Sequence, residues 1–214
     1  MDKKTAIKIV TECAHLFDRE LNGKSLLIFC LENKTNTSTL ELAFREEQFM
    51  HLTGLKPRGE NNILSSKRFY QKCLNNKLQQ NEFDFSADGT SEIKLEILPY
   101  ILCKNLQANA VGDFNGFTIK LMSDKLIGNQ RAFLGFINVY KDYYIPNTLI
   151  KGDIRDYAKN RKRIIAIFRK KQNDQTYGEI TYIAKKIDWN LIRFPENYND
   201  LLTIIRNNPG NTNY

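Results

Sequence analysis

Five consecutive apolar residues, Ile164 to Phe168, stand between two basic clusters, Arg161-Lys162-Arg163 and Arg169-Lys170-Lys171. A run this short and this apolar reads as a core strand, and charge at both ends keeps it from growing into a buried helix. The strand holds its two cationic ends roughly 20 Å apart, at about 3.3 Å per residue. The rest of the chain must supply the sheet that receives it.

The residues before it change character near position 109. Ile7, Val10, Ala14, Phe17 and Leu21 recur at steps of three and four, which predicts a helix over about residues 4–21, stopped by Asn22-Gly23. Ser25 to Glu32 and Thr39 to Phe44 read as two strands of a hairpin. Arg45 to Leu52 reads as a short helix closed by Gly54, and Ser65 to Asn75 as a helix capped by Ser65 or Ser66. Ser91 to Asn105 mixes strand and helix signals and leans to helix, with Pro99 as a kink or boundary. Strand patterns then dominate: Phe117–Met122, Arg131–Tyr140 with a possible bulge at Gly135, Tyr143–Ile150 with Pro146 at an edge, Arg163–Lys170 and Ile180–Lys186. Asp153–Lys159 reads as a helical turn between them, and Tyr198–Asn207 as a terminal helix.

Segregated helices and strands make this an α+β chain. Residues 1–108 form a helical and hairpin region and residues 109–207 a basic, mainly antiparallel sheet, read as one continuous domain. Residues 208–214 are expected to be a disordered tail.

Charge follows the same division. Residues 1–114 hold 15 basic and 15 acidic side chains, whereas residues 115–214 hold 17 and 9, so the net charge of +8 belongs to the second half. Such an excess is what a polyanion-binding surface needs, and it is equally what a solvated basic face looks like. No apolar run is long enough to span a bilayer and the start is no secretory signal, so a soluble cytosolic protein is expected, without a membrane partner. The four cysteines are widely spaced and read as reduced, mostly buried thiols, with no zinc site. Glycine-loop nucleotide motifs and H-E-x-x-H are absent, and there are only two histidines. No cofactor or metal is expected.

Several short segments remain, in this order: Phe49-Met50-His51-Leu52-Thr53-Gly54-Leu55, Gly112-Asp113-Phe114-Asn115-Gly116, Lys120-Leu121, Asp124 to Asn129, Arg131 to Phe136, Tyr144 to Thr148, Asp153 to Asp156, Arg163 to Lys171, and Tyr182 to Lys185. Taken together they resemble the phage-associated branch of the barnase–EndoU–colicin–RelE nuclease superfamily, its fourth phage subfamily, over about residues 5–187. The resemblance implies N-terminal helices leading into a four-stranded antiparallel sheet. It also implies metal-independent RNA cleavage, or nuclease-like RNA binding, in a phage or mobile-element setting. It implies no fixed catalytic set, because members of the superfamily exchange His, Lys, Arg, Glu, Tyr and Thr on the sheet face.

The reaction needs a proton taken from a 2′-hydroxyl, a proton given to the 5′ oxygen, and cations for the phosphoryl charge. His51 titrates in the useful range, although a histidine at a helix end is commonly a packing residue. Lys120, Arg131 and Arg155 complete the catalytic candidates, each also readable as a solvated cation. Lys125, Asn129, Tyr144, Asn147 and Thr148 are candidate nucleic-acid contacts near loops and strand ends. So are Arg161, Lys162, Arg163, Arg169, Lys170 and Lys171, which are expected to give salt-dependent affinity with little sequence choice. The expected function is a ribonuclease of toxin or effector type acting on tRNA, rRNA or mRNA. The alternative is a catalytically silent module that binds RNA or a host protein. An antitoxin or host target is the other partner class.

Overall fold

The computed structural model describes residues 1–58, 64–116, 121–140 and 143–207. Helix α1 (Lys3–Glu20) starts where the Asp2 carboxylate accepts the Thr5 N–H at 2.7 Å, which satisfies a donor left over by the first turn. Ala6, Val10, Cys13, Ala14 and Phe17 bury its apolar stripe. The chain turns at Gly23 (φ 68°), where a side chain would be strained, into β1 (Lys24–Leu31) and β2 (Thr37–Phe44). These form the expected hairpin, in register from Lys24↔Phe44 to Leu31↔Thr37. Three more helices follow: α2 (Glu46–Thr53), α3 (Ser66–Leu74) and α4 (Thr90–Ile101). Ser65 caps α3, and Pro99 sits inside α4 near its end. Between them β3 (Lys56–Pro57) and β4 (Phe83–Asp84) pair as a small separate ladder.

The second half supplies β5 (Ala110–Phe114), β6 (Lys125–Gly128), β7 (Ala132–Tyr140), β8 (Tyr143–Lys151), the one-turn helix α5 (Ile154–Tyr157), β9 (Ala158–Lys171), β10 (Glu179–Ile183) and α6 (Asn199–Arg206). The main sheet runs β1-β2-β8-β7-β6-β5-β9-β10, and β9 also pairs with β1. Seven strands therefore close on themselves as a barrel, and β10 is an eighth, laid beside β9. This corrects the four-stranded sheet that the family resemblance implied.

The reason lies in β9. It is 14 residues long and starts five residues before the expected Arg163, inside the segment expected to be a helical turn. Its first half pairs with β5, from Phe114↔Ala158 to Ala110↔Arg163. Its second half pairs with β1, from Cys30↔Ile164 to Lys24↔Lys171, which brings the N-terminal hairpin into the sheet. Among the described residues every ladder is antiparallel except β2–β8, a parallel seam that pairs Glu41↔Tyr143 and Leu42↔Tyr144. The expected Phe117–Met122 strand lies mostly outside the described residues, and Leu121 and Met122 are not in a strand. The tail from residue 208 also lies outside them.

The continuous apolar runs of β1 and β9 follow from burial on both faces. Leu26, Ile28, Ile164 and Ile167 face the helices, sharing a core with Phe17, Phe44, Phe49 and Phe136. Leu27, Phe29, Ile165 and Phe168 face the opposite way, under Trp189, Phe194 and the α6 residues Leu201, Leu202 and Ile205. Phe29 and Phe194 stack with ring centroids 3.7 Å apart. Burial pushes the thiols of Cys13, Cys30 and Cys73 up to about 12, so they are inert at neutral pH. Among the described residues no helix is long and apolar enough to cross a membrane.

The barrel tolerates little at β6–β7. A Cβ on Gly128 would lie 2.4 Å from the Ala132 carbonyl oxygen and 2.5 Å from Phe133 Cα, whereas one on Gly178 would meet nothing within 4 Å. Gly128→Ala is expected to lower unfolding stability by about 2 kcal/mol or more, and Gly178→Ala to leave it nearly unchanged. Urea denaturation of the two variants side by side checks this.

Candidate active site

The β5–β9 ladder is interrupted by a bulge. Val111 pairs with Lys162 and Asp113 with Lys159, so Gly112 alone opposes Asn160 and Arg161. Asn160 takes φ 50°, the left-handed region that asparagine tolerates better than most residues. Glycine is needed at 112, since a Cβ there would sit 2.8 Å from both Ala158 Cβ and the Lys159 carbonyl oxygen. A bulge of this kind re-aims side chains. Here Asn160 Nδ2 donates to Asp113 Oδ2 at 2.9 Å.

Lys125, directly opposite Asp113 on β6, donates to Asp113 Oδ1 at 2.5 Å. A second pair stands nearby. Lys162 donates to the Glu32 carboxylate and, at 3.4 Å, to Ser38 Oγ. A cleft of about 620 Å³ is lined by Ser38–Leu40 of β2, Val111–Asp113 of β5, Lys125 of β6, Tyr144 of β8, and Asn160 and Lys162 of β9, and Glu32 is joined to it through Lys162. Five strands of the barrel converge on it.

Burial works to raise the Asp113 carboxyl, but the hydrogen bonds from Lys125 and Asn160 and the charges of Lys125 and Lys159 outweigh it and hold the group below its ordinary 3.8. Glu32 is held below its ordinary 4.5, first by the Lys162 hydrogen bond and then by Ser38. At neutral pH both carboxylates are ionised, and each is partnered by a lysine ammonium. The cleft thus offers proton acceptors and cationic donors a few ångströms apart. Among the described residues no group of three or more His, Cys, Asp or Glu gathers to hold a metal ion.

Of the residues singled out in the sequence, the fold brings Lys125, Tyr144 and Lys162 together at this cleft. Lys125 does so from a strand rather than the expected loop. Arg161 and Arg163 are exposed on the same strand as Lys162, tied to the carbonyls of Arg155 and Lys185 at 2.8 and 2.7 Å. The others do not line it. His51 is exposed on the last turn of α2. Arg131, in the turn before β7 rather than on a strand, lies over the Tyr100 ring at 4.6 Å. Arg155 pairs with Asp153 at 2.6 Å.

Asn129 is buried, donating to Tyr100 Oη at 2.9 Å and the Gln107 carbonyl at 2.7 Å and accepting from the N–H groups of Arg131 and Ala132. Its amide is used up in holding a turn. Asn147 accepts from Ser123 Oγ at 2.9 Å and donates to the Met122 carbonyl, and Thr148 meets Lys94 at 3.2 Å. At the far end of β9, Arg169 is held between Glu20 at 3.2 Å and Glu179 at 2.7 Å, Lys170 lies 4.8 Å over the Tyr177 ring, and Lys171 is exposed opposite Lys24. Lys120 lies outside the described residues.

Sequence reasoning missed Glu32, Ser38, Asp113 and Asn160. Asp113 had a signal, because it follows a glycine in one of the ordered segments. Glu32 and Ser38 are neighbours in the first hairpin, and only the β1–β9 pairing that closes the barrel brings them beside Asp113 and Asn160.

The fold and cleft define the class: an α+β protein whose main sheet closes on itself and carries lysine–carboxylate pairs at one cleft. The family described as phage-Barnase-EndoU-ColicinE5/D-RelE like nuclease4 matches residues 9–186, and the chain belongs to it. It is thus a nuclease of the barnase/EndoU/colicin/RelE type, and all the charged cleft residues fall inside the matched range. Among curated proteins and among solved structures no match was found.

A carboxyl whose folded value is depressed stabilises the fold above its unfolded value and loses that contribution as pH falls through the folded one. Stability of the wild type is expected to fall as pH drops below about 4, and Asp113→Asn to flatten that dependence while leaving the protein less stable near neutrality. Thermal unfolding from pH 7 to pH 2.5 reads both. Parallel curves for the two proteins would show that the Asp113 contacts contribute nothing.

Proposed function

We propose that this nuclease cleaves RNA at the Asp113–Lys125–Lys162 cleft by attack of a 2′-hydroxyl on the adjacent phosphorus, without a metal ion. The observation that carries the reading is the meeting of two lysine–carboxylate pairs in one cleft of a nuclease-family chain. Asp113 takes the 2′-hydroxyl proton as the 2′ oxygen bonds to phosphorus. The bond from phosphorus to the 5′ oxygen breaks, and a lysine ammonium returns a proton to that oxygen. The products are a 2′,3′-cyclic phosphate and a 5′-hydroxyl.

Lys162 has three N–H donors, of which Glu32 and Ser38 take two, so it meets a phosphoryl oxygen without leaving its carboxylate. Lys125 supplies the second positive charge against the growing negative charge of the transition state. Tyr144 forms part of the wall, and Arg161 and Arg163 extend the positive field along the RNA backbone. Each cleft carboxylate already has a lysine partner, which a metal ion would have to displace in order to bind there. Phage association comes with the family. A toxin or effector role, with an antitoxin or host protein as partner, extends this reading.

Incubation of the purified chain with total RNA and with tRNA in EDTA is expected to give discrete products ending in 2′,3′-cyclic phosphate. Lys162→Ala is expected to reduce kcat/KM about 10²-fold or more, and Asp113→Asn by about 10²–10⁴-fold. His51→Ala with Arg131→Ala keeps near-full activity on this reading. Unchanged cleavage by a Lys162→Ala, Asp113→Asn double variant would refute the site. Salt-sensitive binding with RNA left intact would convert the protein into a silent binder.

A further inference from the structure

A second cavity, of about 680 Å³, opens at the β2–β8 seam and shares Thr39 and Leu40 with the cleft. Glu41 is the acidic group of its lining, with Tyr140, Tyr143, Tyr198 and Asn197 around it, and among the described residues no lysine or arginine lines it. Glu41 enters no ion pair among the described residues, in a chain whose net charge is +8. The Tyr198 ring is held edge-on by Phe29, at 5.6 Å and 87°, and Phe29 is itself stacked on Phe194. At the rim, Val139 and Tyr140 are 49% and 68% exposed. The backbone of β2 adds a second feature. Thr37 donates its N–H away from β1, to the Arg193 carbonyl at 3.2 Å, and the two-residue period turns the N–H and C=O of Thr39 the same way. The seam with β8 takes up this edge again at Glu41↔Tyr143. Between those two points, among the described residues, no backbone group pairs with Thr39 on this edge. The stretch from Thr37 to Glu41 is about 13 Å long.

We infer that this cavity and the β2 edge beside it form a docking surface for an extended segment of another protein that carries an arginine. The main chain of that segment exchanges hydrogen bonds with the Thr39 N–H and C=O, as a strand added to an open edge does. Its guanidinium enters among the tyrosine rings and meets the Glu41 carboxylate. Arginine suits the place better than lysine, because its planar group stacks on aromatic faces and presents a fork of donors to a carboxylate. A cation over a tyrosine ring is attracted by the ring as well. A nucleic-acid strand suits it less: Glu41 repels phosphate, whereas the Thr39 donor and acceptor match those of a peptide main chain. Asn197 and Tyr198 lie beyond residue 186, so this wall of the cavity comes from a segment outside the family match. Because Thr39 and Leu40 also line the cleft, a segment docked here stands at the cleft's edge. The docking surface does not depend on what the cleft does.

The probe is a blocked five-residue peptide of alternating alanine and valine with arginine at its centre, titrated into the full chain and followed by NMR. It is expected to shift resonances of Thr39 and Tyr198. Citrulline in place of the arginine, which keeps the shape and removes the charge, is expected to weaken binding about tenfold. Methyl groups on the three central peptide nitrogens, which remove the main-chain donors, are expected to weaken it about tenfold as well. Glu41→Gln and Tyr198→Leu, which keeps an apolar group against Phe29, are each expected to do the same, while Asp113→Asn in the cleft leaves binding unchanged. Equal binding of the arginine and citrulline peptides, or binding indifferent to both Glu41→Gln and Tyr198→Leu, overturns the surface. Binding lost on Asp113→Asn moves the arginine into the cleft and overturns it too. Shifts at Tyr198 with guanosine or adenosine, and none with the peptide, overturn it in favour of RNA. No RNA has to be cut in any of these measurements, so their result stands apart from the cleavage reading.

Discussion

The pairing of β9 with β1 is the constraint on which the rest of the structure depends. It joins strands from opposite ends of the chain, in register from Cys30↔Ile164 to Lys24↔Lys171. Without it the sheet is open, the hairpin has one partner fewer, and both apolar faces of β1 lose cover. The length of β9 makes the joint possible: one half reaches β1 while the other half still holds β5. Such long-range pairing costs loop-closure entropy, and it is offset by a strand buried on both sides.

The cleft depends on a second feature of β9. A bulge at Asn160 and Arg161 falls opposite Gly112, inside the β5 pairing and short of Ile164, where the β1 pairing begins. Asn160 donates to Asp113 and Lys162 to Glu32. Asn160 and Lys162 stand two residues apart, and the two-residue period of a strand keeps them on one face of β9, toward Asp113 and Lys125.

Much of the fold was legible because it depends on local pattern. The Ile7–Leu21 stripe, the Ser65 cap, the Gly54 stop and the Ile164–Phe168 core strand all express rules that act over a few residues. Closure was not legible. It depends on register between strands more than a hundred residues apart, and nothing in Ser25–Glu32 says which strand lies on its second edge. The site split in the same way. Lys125, Tyr144 and Lys162 stood in basic or family-like segments, whereas Glu32 and Ser38 looked like ordinary hairpin residues. Asn129 looked like a loop ligand, and its burial turned it into a turn clamp. Charge density also misled: the cluster Arg169–Lys171 is as basic as Arg161–Arg163, yet Arg169 is spent on two glutamates.

The separation of Glu32 and Lys162 has a consequence for the order of events during synthesis. The two residues are 130 positions apart, and their contact closes one side of the cleft. A nascent chain that has emerged only as far as Tyr157 has α1 to α5 and its first hairpin but none of β9. It cannot assemble the cleft. Even after β9 appears, the outer face of β1 stays uncovered until Phe194 and α6 have left the tunnel. The cleft, and the covered face behind β1, are therefore late products of synthesis.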